Sequence, residues 1–198
     1  MKFLSSHHFQ AITTTDITTP PNNLSRPVLL LFAGGYQSFY TFVFPLLKKY
    51  NLKAVIALPV GLIGKYNAWL PADKGPWQNI LTATQIKELK KSGLVDFISG
   101  GLSGNPLTSA QESANTFELT ESKHRLHQMY RIHTHSFLFP PCAFISSQTR
   151  QQAAEIYSLL FTPQTGLNDW PLKAPFLKTY PLQSRTCLSR LFFKLRRL

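Results

Sequence analysis

At 198 residues the chain is long enough for one domain with a sizeable core, and 43% apolar with 15% charged residues is ordinary globular composition. Twenty-one basic against nine acidic residues give a net charge of +12, which favours an anionic partner (nucleic acid, an acidic polymer or a membrane surface) without choosing among them. Cys142 and Cys187 exclude a disulfide framework and have no metal-ligand spacing, and no apolar run of about 18 residues predicts a transmembrane helix.

Residues 1–25 read as a short amphipathic lead-in followed by a loop. His7, His8, Gln10 and a Thr/Pro/Asn run interrupt any apolar signal-peptide core, so the chain as written is expected to stay in the cytoplasm. His7 and His8 read as surface residues. From Arg26 to Gly64 the pattern is strand, tight turn, helix, strand. Val28 to Phe32 is a short apolar run bounded by Pro27 and Gly34-Gly35, which fits a buried strand. Tyr36 to Tyr50 spaces Phe39, Phe42, Val43, Leu46 and Leu47 as a helix does, with Lys48 and Lys49 at the negative end of its dipole. Pro45 is expected to kink this helix or end its first part. Ala54 to Val60 is a second buried strand, and two such strands joined by a helix predict a parallel sheet.

The stretch from Lys65 to Ile80 is long for a βα connection, which usually takes about 2 to 6 residues, and reads as a rim or lid over a cleft. Its tryptophans, Trp69 and Trp77, suit either sugar stacking or anchoring on the core. Thr82 and Gln85 form a capping box that opens a helix closed by Gly93, and Leu94 to Ile98 is the next strand. A helix over Gln111 to Tyr130 places His124 and His127 three apart, read as a solvated or partly buried face rather than a metal pair. His133 and His135 lead into the alternating strand Phe137 to Phe139, toward its start. Ser147 to Leu160 is a helix running into a strand, and Pro175 to Tyr180 reads as the last strand. Residues 184–198 carry a stripe of Leu188, Leu191, Phe192, Leu195 and Leu198 flanked by basic residues. That segment is read as a terminal helix packed on the domain with a basic solvent face, peripheral membrane contact being the alternative.

The block Phe32-Ala33-Gly34-Gly35-Tyr36-Gln37-Ser38-Phe39-Tyr40, followed by Phe44-Pro45-Leu46-Leu47, resembles the first motif of the polysaccharide deacetylase (NodB-homology) family. The likeness is greatest to the poly-β-1,6-N-acetylglucosamine N-deacetylases, where the strand ends in Phe-Asp-Asp-Gly-Tyr. The resemblance implies one α/β domain over residues 1–198, a distorted (β/α) barrel, and leaves open whether the sheet lacks an N-terminal strand. It also implies a metal held by an Asp and two His, a second Asp as base, a backbone oxyanion donor and a late His as acid.

This chain departs from that pattern throughout. The base position is Ala33 and the metal Asp is Gly34. The first metal His falls on Gly100, and the second on Gly104 or, in the longer spacing, Asn105. The aromatic-Pro-Tyr-Gly motif becomes Phe139-Pro140-Pro141-Cys142, and Pro141 has no N–H for an oxyanion. No histidine follows His135. The expectation is therefore an inactive relative with no metal and no cofactor, keeping a cleft for an N-acetylglucosamine-type polysaccharide. Tyr36, Trp77, Phe139 and Trp170 are its candidate sugar-stacking residues. Nucleic acid is not an expected partner. The alternatives are an active N-deacetylase whose atypical ligands would be His133, His135 and Asp169, and a basic module binding an anionic polymer or membrane through its tail.

Overall fold

A computed structural model describes residues 1–107, 112–140, 145–169 and 175–182. Its organising strand is β4 (Ala54–Leu58), in which every residue is buried. A strand is buried along its whole length only when both sheet faces are covered. Ala54, Ile56 and Leu58 point one way, into a cluster with Phe44 and Leu47 of α3 (Phe44–Tyr50) and Ile86 and Leu89 of α4 (Ala83–Lys91). Val55 and Ala57 point the other way, into a cluster with Ile98, Leu159, Phe161 and Leu177 drawn from other strands. Period-two alternation therefore separates a helix-covered outside from a strand-lined inside.

Six parallel strands run in chain order: β3 (Leu31–Ala33), β4, β5 (Val95–Ser99), β6 (Ser136–Leu138), β7 (Leu159–Thr165) and β8 (Phe176–Thr179). Helices α3, α4, α5 (Glu112–Tyr130) and α6 (Ser147–Ile156) make the crossovers. A sheet in which each strand neighbours the next in sequence curls around one interior rather than reversing direction. The predicted lead-in also contributes a strand: β1 (Gln10–Ile12) pairs in parallel with β2 (Pro27–Leu29), and β2 runs into β3 through Leu30, whose carbonyl accepts the Val55 N–H at 2.8 Å. The predicted strand over Val28 to Phe32 is thus two short strands shared between adjoining sheets. Among the described residues no pairing joins β8 to β1, so the barrel is open there.

The base of the barrel is closed by α2 (Thr14–Thr18), whose Ile17 packs with Leu29 and Leu31 against the interior cluster. Thr13 and Asp16 form a reciprocal capping box that fixes the start of α2. Asp96 in β5 accepts the Thr14 hydroxyl at 2.5 Å and its N–H at 3.3 Å, tying the plug to the sheet. Pro45 has its expected effect by an unexpected route. The helix after Tyr36 is π-wound over Phe39–Val43 and becomes α-helical at Phe44, so the proline, which lacks an N–H, sits in the first turn of the regular segment.

Candidate functional site

In a parallel α/β barrel the strands' C-terminal ends and the loops after them form the mouth. Here β3 ends at the exposed Ala33, in register with Ala57. Gly34 and Gly35 then turn the chain at φ +87° and +57°, a region glycine enters without steric cost. A Cβ on Gly34 would lie 2.7 Å from the Tyr36 ring. Tyr36 thus occupies the space into which a side chain at position 34 would extend.

The loop after β5 is built the same way. Gly100 donates to the Leu58 carbonyl at 2.9 Å, and the carbonyls of Gly101 and Leu102 accept from Val60 and Gly61 at 2.8 and 2.9 Å, which extends the β4–β5 ladder beyond the strands. From α5, one Glu118 carboxylate oxygen accepts the backbone N–H groups of Leu102 at 2.6 Å and Ser103 at 3.2 Å. Behind the loop, the Ser99 hydroxyl donates to Ser122 at 2.8 Å and accepts from the Gly101 N–H, while Tyr157 donates to the Leu119 carbonyl at 2.8 Å. Burial pushes the Tyr157 hydroxyl above the ordinary tyrosine range, so it remains a donor. At Gly104, φ is +75° and a Cβ would lie 2.5 Å from the Trp69 ring. Gly100 is less confined: its Cβ would press on the Leu58 carbonyl at 3.3 Å.

Trp69 reaches this place because residues 64–80 fold back over the mouth. Gln37 donates to Asn79 and Leu81 to Gly35, both at 2.8 Å, and Gly64 donates to Leu81 at 2.9 Å. The ends of the loop therefore meet beside the Gly34-Gly35 turn, while the buried Asn67 accepts the Gln78 N–H at 2.6 Å within it. The Tyr36 and Trp69 rings lie 5.9 Å apart and tilted by 57°. At the outer edge Trp77 is 52% exposed, stacks on Tyr66 at 4.4 Å, and donates its indole N–H to the Leu70 carbonyl at 3.0 Å.

Ala33, Gly34, Gly100, Gly104 and Asn105 therefore lie on the β3 end and the β5 loop that form the mouth, with Tyr36 and the Trp69 loop against them. Phe139 is a correction to the sugar-stacking set. It is 1% exposed and packs with Phe137, Leu119 and Tyr157 beneath the helices, because it shares the outward face of its strand with Phe137. A ring so enclosed cannot stack on a polymer. Pro141, Cys142, Trp170 and residues 184–198 lie outside the described residues. The alternative ligand set does not converge. His133 and His135 precede the start of β6, whereas Asp169 follows the end of the neighbouring parallel strand β7, at the opposite rim. Among the described residues no three His, Cys, Asp or Glu side chains are grouped to hold a metal. Sequence reasoning put Trp69 on the rim loop, as a stacking or anchoring residue, without its seat against Gly104, and it missed the role of Glu118, which carried no signal.

An all-parallel, singly wound open barrel with its loops gathered at one mouth is a NodB-type (β/α) barrel, and sequence likeness names the family. The polysaccharide deacetylase family model matches residues 21–157, and the chain belongs to that family. It is 38% identical over 84 residues to the poly-β-1,6-N-acetyl-D-glucosamine N-deacetylase of Escherichia coli K12, covering 37% of this chain but only 12% of that enzyme. Among solved structures it resembles the Streptococcus pyogenes deacetylase PplD in complex with acetate (TM-score 0.81, 23% identity, 98% of this chain and 83% of that one). It is also similar to IcaB from Ammonifex degensii (0.82, 19%, 98% and 85%) and to the BpsB deacetylase domain from Bordetella bronchiseptica (0.74, 25%, 89% and 80%).

The metal implied by the family does not fit the residues present. A catalytic metal site takes about three protein ligands and an open position. Here Gly34, Gly100 and Gly104 carry no side-chain ligand atom, and at Gly104 the space a side chain would enter holds the Trp69 indole, which replaces neither a carboxylate nor an imidazole.

Proposed function

We propose that this chain is a non-hydrolytic member of the polysaccharide deacetylase family that retains a shallow cleft for an N-acetylglucosamine-type polymer. The observation that carries the proposal is the make-up of the mouth: Ala33, Gly34 and Gly100 stand at the strand ends, and at Gly104 the Trp69 ring lies where a side chain would begin. Amide hydrolysis at neutral pH needs a polarised carbonyl, an activated water and a proton for the leaving amine. Ala33, Gly34, Gly100 and Gly104 supply none of these. The polymer class rests on the family and on the curated relative that acts on poly-β-1,6-N-acetyl-D-glucosamine. The half-exposed Trp77, backed by Tyr66 and held by Leu70, is a preordered apolar face with a polar edge, the kind of surface that stacks on a pyranose ring.

The test is calorimetric titration of a soluble β-1,6-N-acetylglucosamine oligomer into the full chain and into Trp77→Ala and Tyr36→Ala. Saturable binding is expected, weakened about tenfold by Trp77→Ala, which corresponds to about 1.4 kcal/mol. Binding that the Trp77 variant leaves untouched would remove that residue from the cleft, and absence of binding to any oligomer would refute the retained-cleft reading.

A further inference from the structure

On the outside of the barrel, near its base, α5 and the segment leading into β6 enclose a cleft of about 340 Å³. Four of the chain's six histidines line it, His124 and His127 from α5 and His133 and His135 from the segment, together with Lys123. Thr120, Ile132, Thr134 and Ile156 complete the lining, so no carboxylate lines it among the described residues. The reading of the mouth does not involve this end of the barrel.

Two geometric facts point to a ligand of negative charge. The His127 and His133 rings, from different segments, meet with centroids 4.2 Å apart at 51°, which brings two N–H-bearing rings to one place. Lys123 is drawn in over the Tyr157 ring at 5.1 Å and donates to the Ile156 carbonyl at 2.6 Å. Of the three N–H bonds an ammonium carries, that contact uses one. Burial lowers the Lys123 ammonium below the ordinary lysine range, the cost of a cation with no carboxylate opposite it. The groups facing the cleft from each packed element are thus cationic or neutral: Lys123, His124 and His127 on α5, His133 and His135 on the segment, and the engaged Ile156 carbonyl at the end of α6.

We propose that this cleft is a binding site for a phosphate-type oxyanion, held by the Lys123 ammonium and the ring N–H groups of the four histidines.

The experiment is an NMR titration of the full chain with inorganic phosphate at fixed pH, with chloride holding ionic strength constant, read on histidine ring signals. His7 and His8, at the other end of the sequence, serve as internal controls. Saturable shifts confined to His124, His127, His133 and His135 are expected. A parallel titration with glucose 6-phosphate distinguishes a site for a phosphate monoester from one for free phosphate only, and saturation by either supports the site. The double variant His127→Gln/His133→Gln should bind at least tenfold more weakly. Shifts that never saturate, or that include His7 and His8 equally, would overturn the proposal, and the wild-type titration decides it even if the variant fails to fold.

Discussion

The two ends of the barrel treat polar chemistry in opposite ways. At the base, Asp96 spends its carboxylate on Thr14, Asp16 is held by Thr13 and Lys53, and the plug helix is tied to the sheet. At the mouth, where related folds place reacting groups, the strand ends carry Ala33, Gly34 and Gly100, and the carboxylate nearest the β5 loop, Glu118, is engaged with backbone N–H groups. The base therefore contributes to folding in the way any such barrel needs. The mouth keeps its shape through loop hydrogen bonds and aromatic rings. A fold and its chemistry are separable: backbone ladders and loop clamps hold the mouth together whatever side chains stand at the strand ends.

Breaking the base should cost most. Asp96→Ala leaves the Thr14 N–H and hydroxyl without their acceptor under the plug, and a loss of about 2–3 kcal/mol is expected, read as a lower melting temperature. A neutral result would mean that Ile17 packing and the Lys53–Asp16 pair suffice to hold α2. Gly104→His comes next. It places a β-carbon against Trp69 at positive φ, so about 1–3 kcal/mol should be lost, and the companion Trp69→Gly should recover the steric part of that loss. Failure of the companion to recover anything would show that the indole does not fill the position. Glu118→Ala should lose about 1.5–3 kcal/mol through the freed Leu102 and Ser103 N–H groups, with faster hydrogen exchange confined to the β5 loop.

The smallest effects are expected from pH and from Ala33. Burial by itself raises the Asp16 carboxyl, but the Thr13 N–H and hydroxyl and the Lys53 ammonium outweigh it and leave it below the ordinary aspartate value. A group depressed on folding stabilises the fold above its unfolded value, and that contribution disappears as pH falls through the folded one. Asp16→Asn should therefore lower stability modestly at pH 7, where the contribution is fully present, and flatten the acid limb between about pH 5 and 2, the two proteins converging at the acid end. Ala33→Asp, at an exposed strand end, should shift stability by less than about 0.5 kcal/mol and restore no hydrolysis.

Much of the framework was legible in the chain. The buried strands at Ala54 and Leu94, the Thr82 capping box and the helix over Gln111 to Tyr130 follow from apolar period and cap chemistry, and each is present within a residue or two. The strand Gln10–Ile12 was not legible, because three residues are too few to show a period and its partner lies beyond a loop. Phe139 was misjudged at the level of faces. Its motif position pointed to the mouth, whereas its parity with Phe137 pointed under the helices, and packing followed parity. The seating of Trp69 beside Gly104, the Glu118 clamp and the meeting of His127 with His133 are all contacts between segments distant in sequence. Spacing within one segment carries no information about them.

The most direct test of the central claim is simultaneous measurement of metal content and acetate release. The full chain is incubated with excess Zn²⁺, Co²⁺ or Ni²⁺, desalted, analysed for bound ion, and assayed on a soluble β-1,6-N-acetylglucosamine oligomer. The account predicts no stoichiometric ion at the mouth and no acetate above the buffer blank. One equivalent of tightly held metal accompanied by steady acetate release, lost when a mouth residue is replaced, would contradict it.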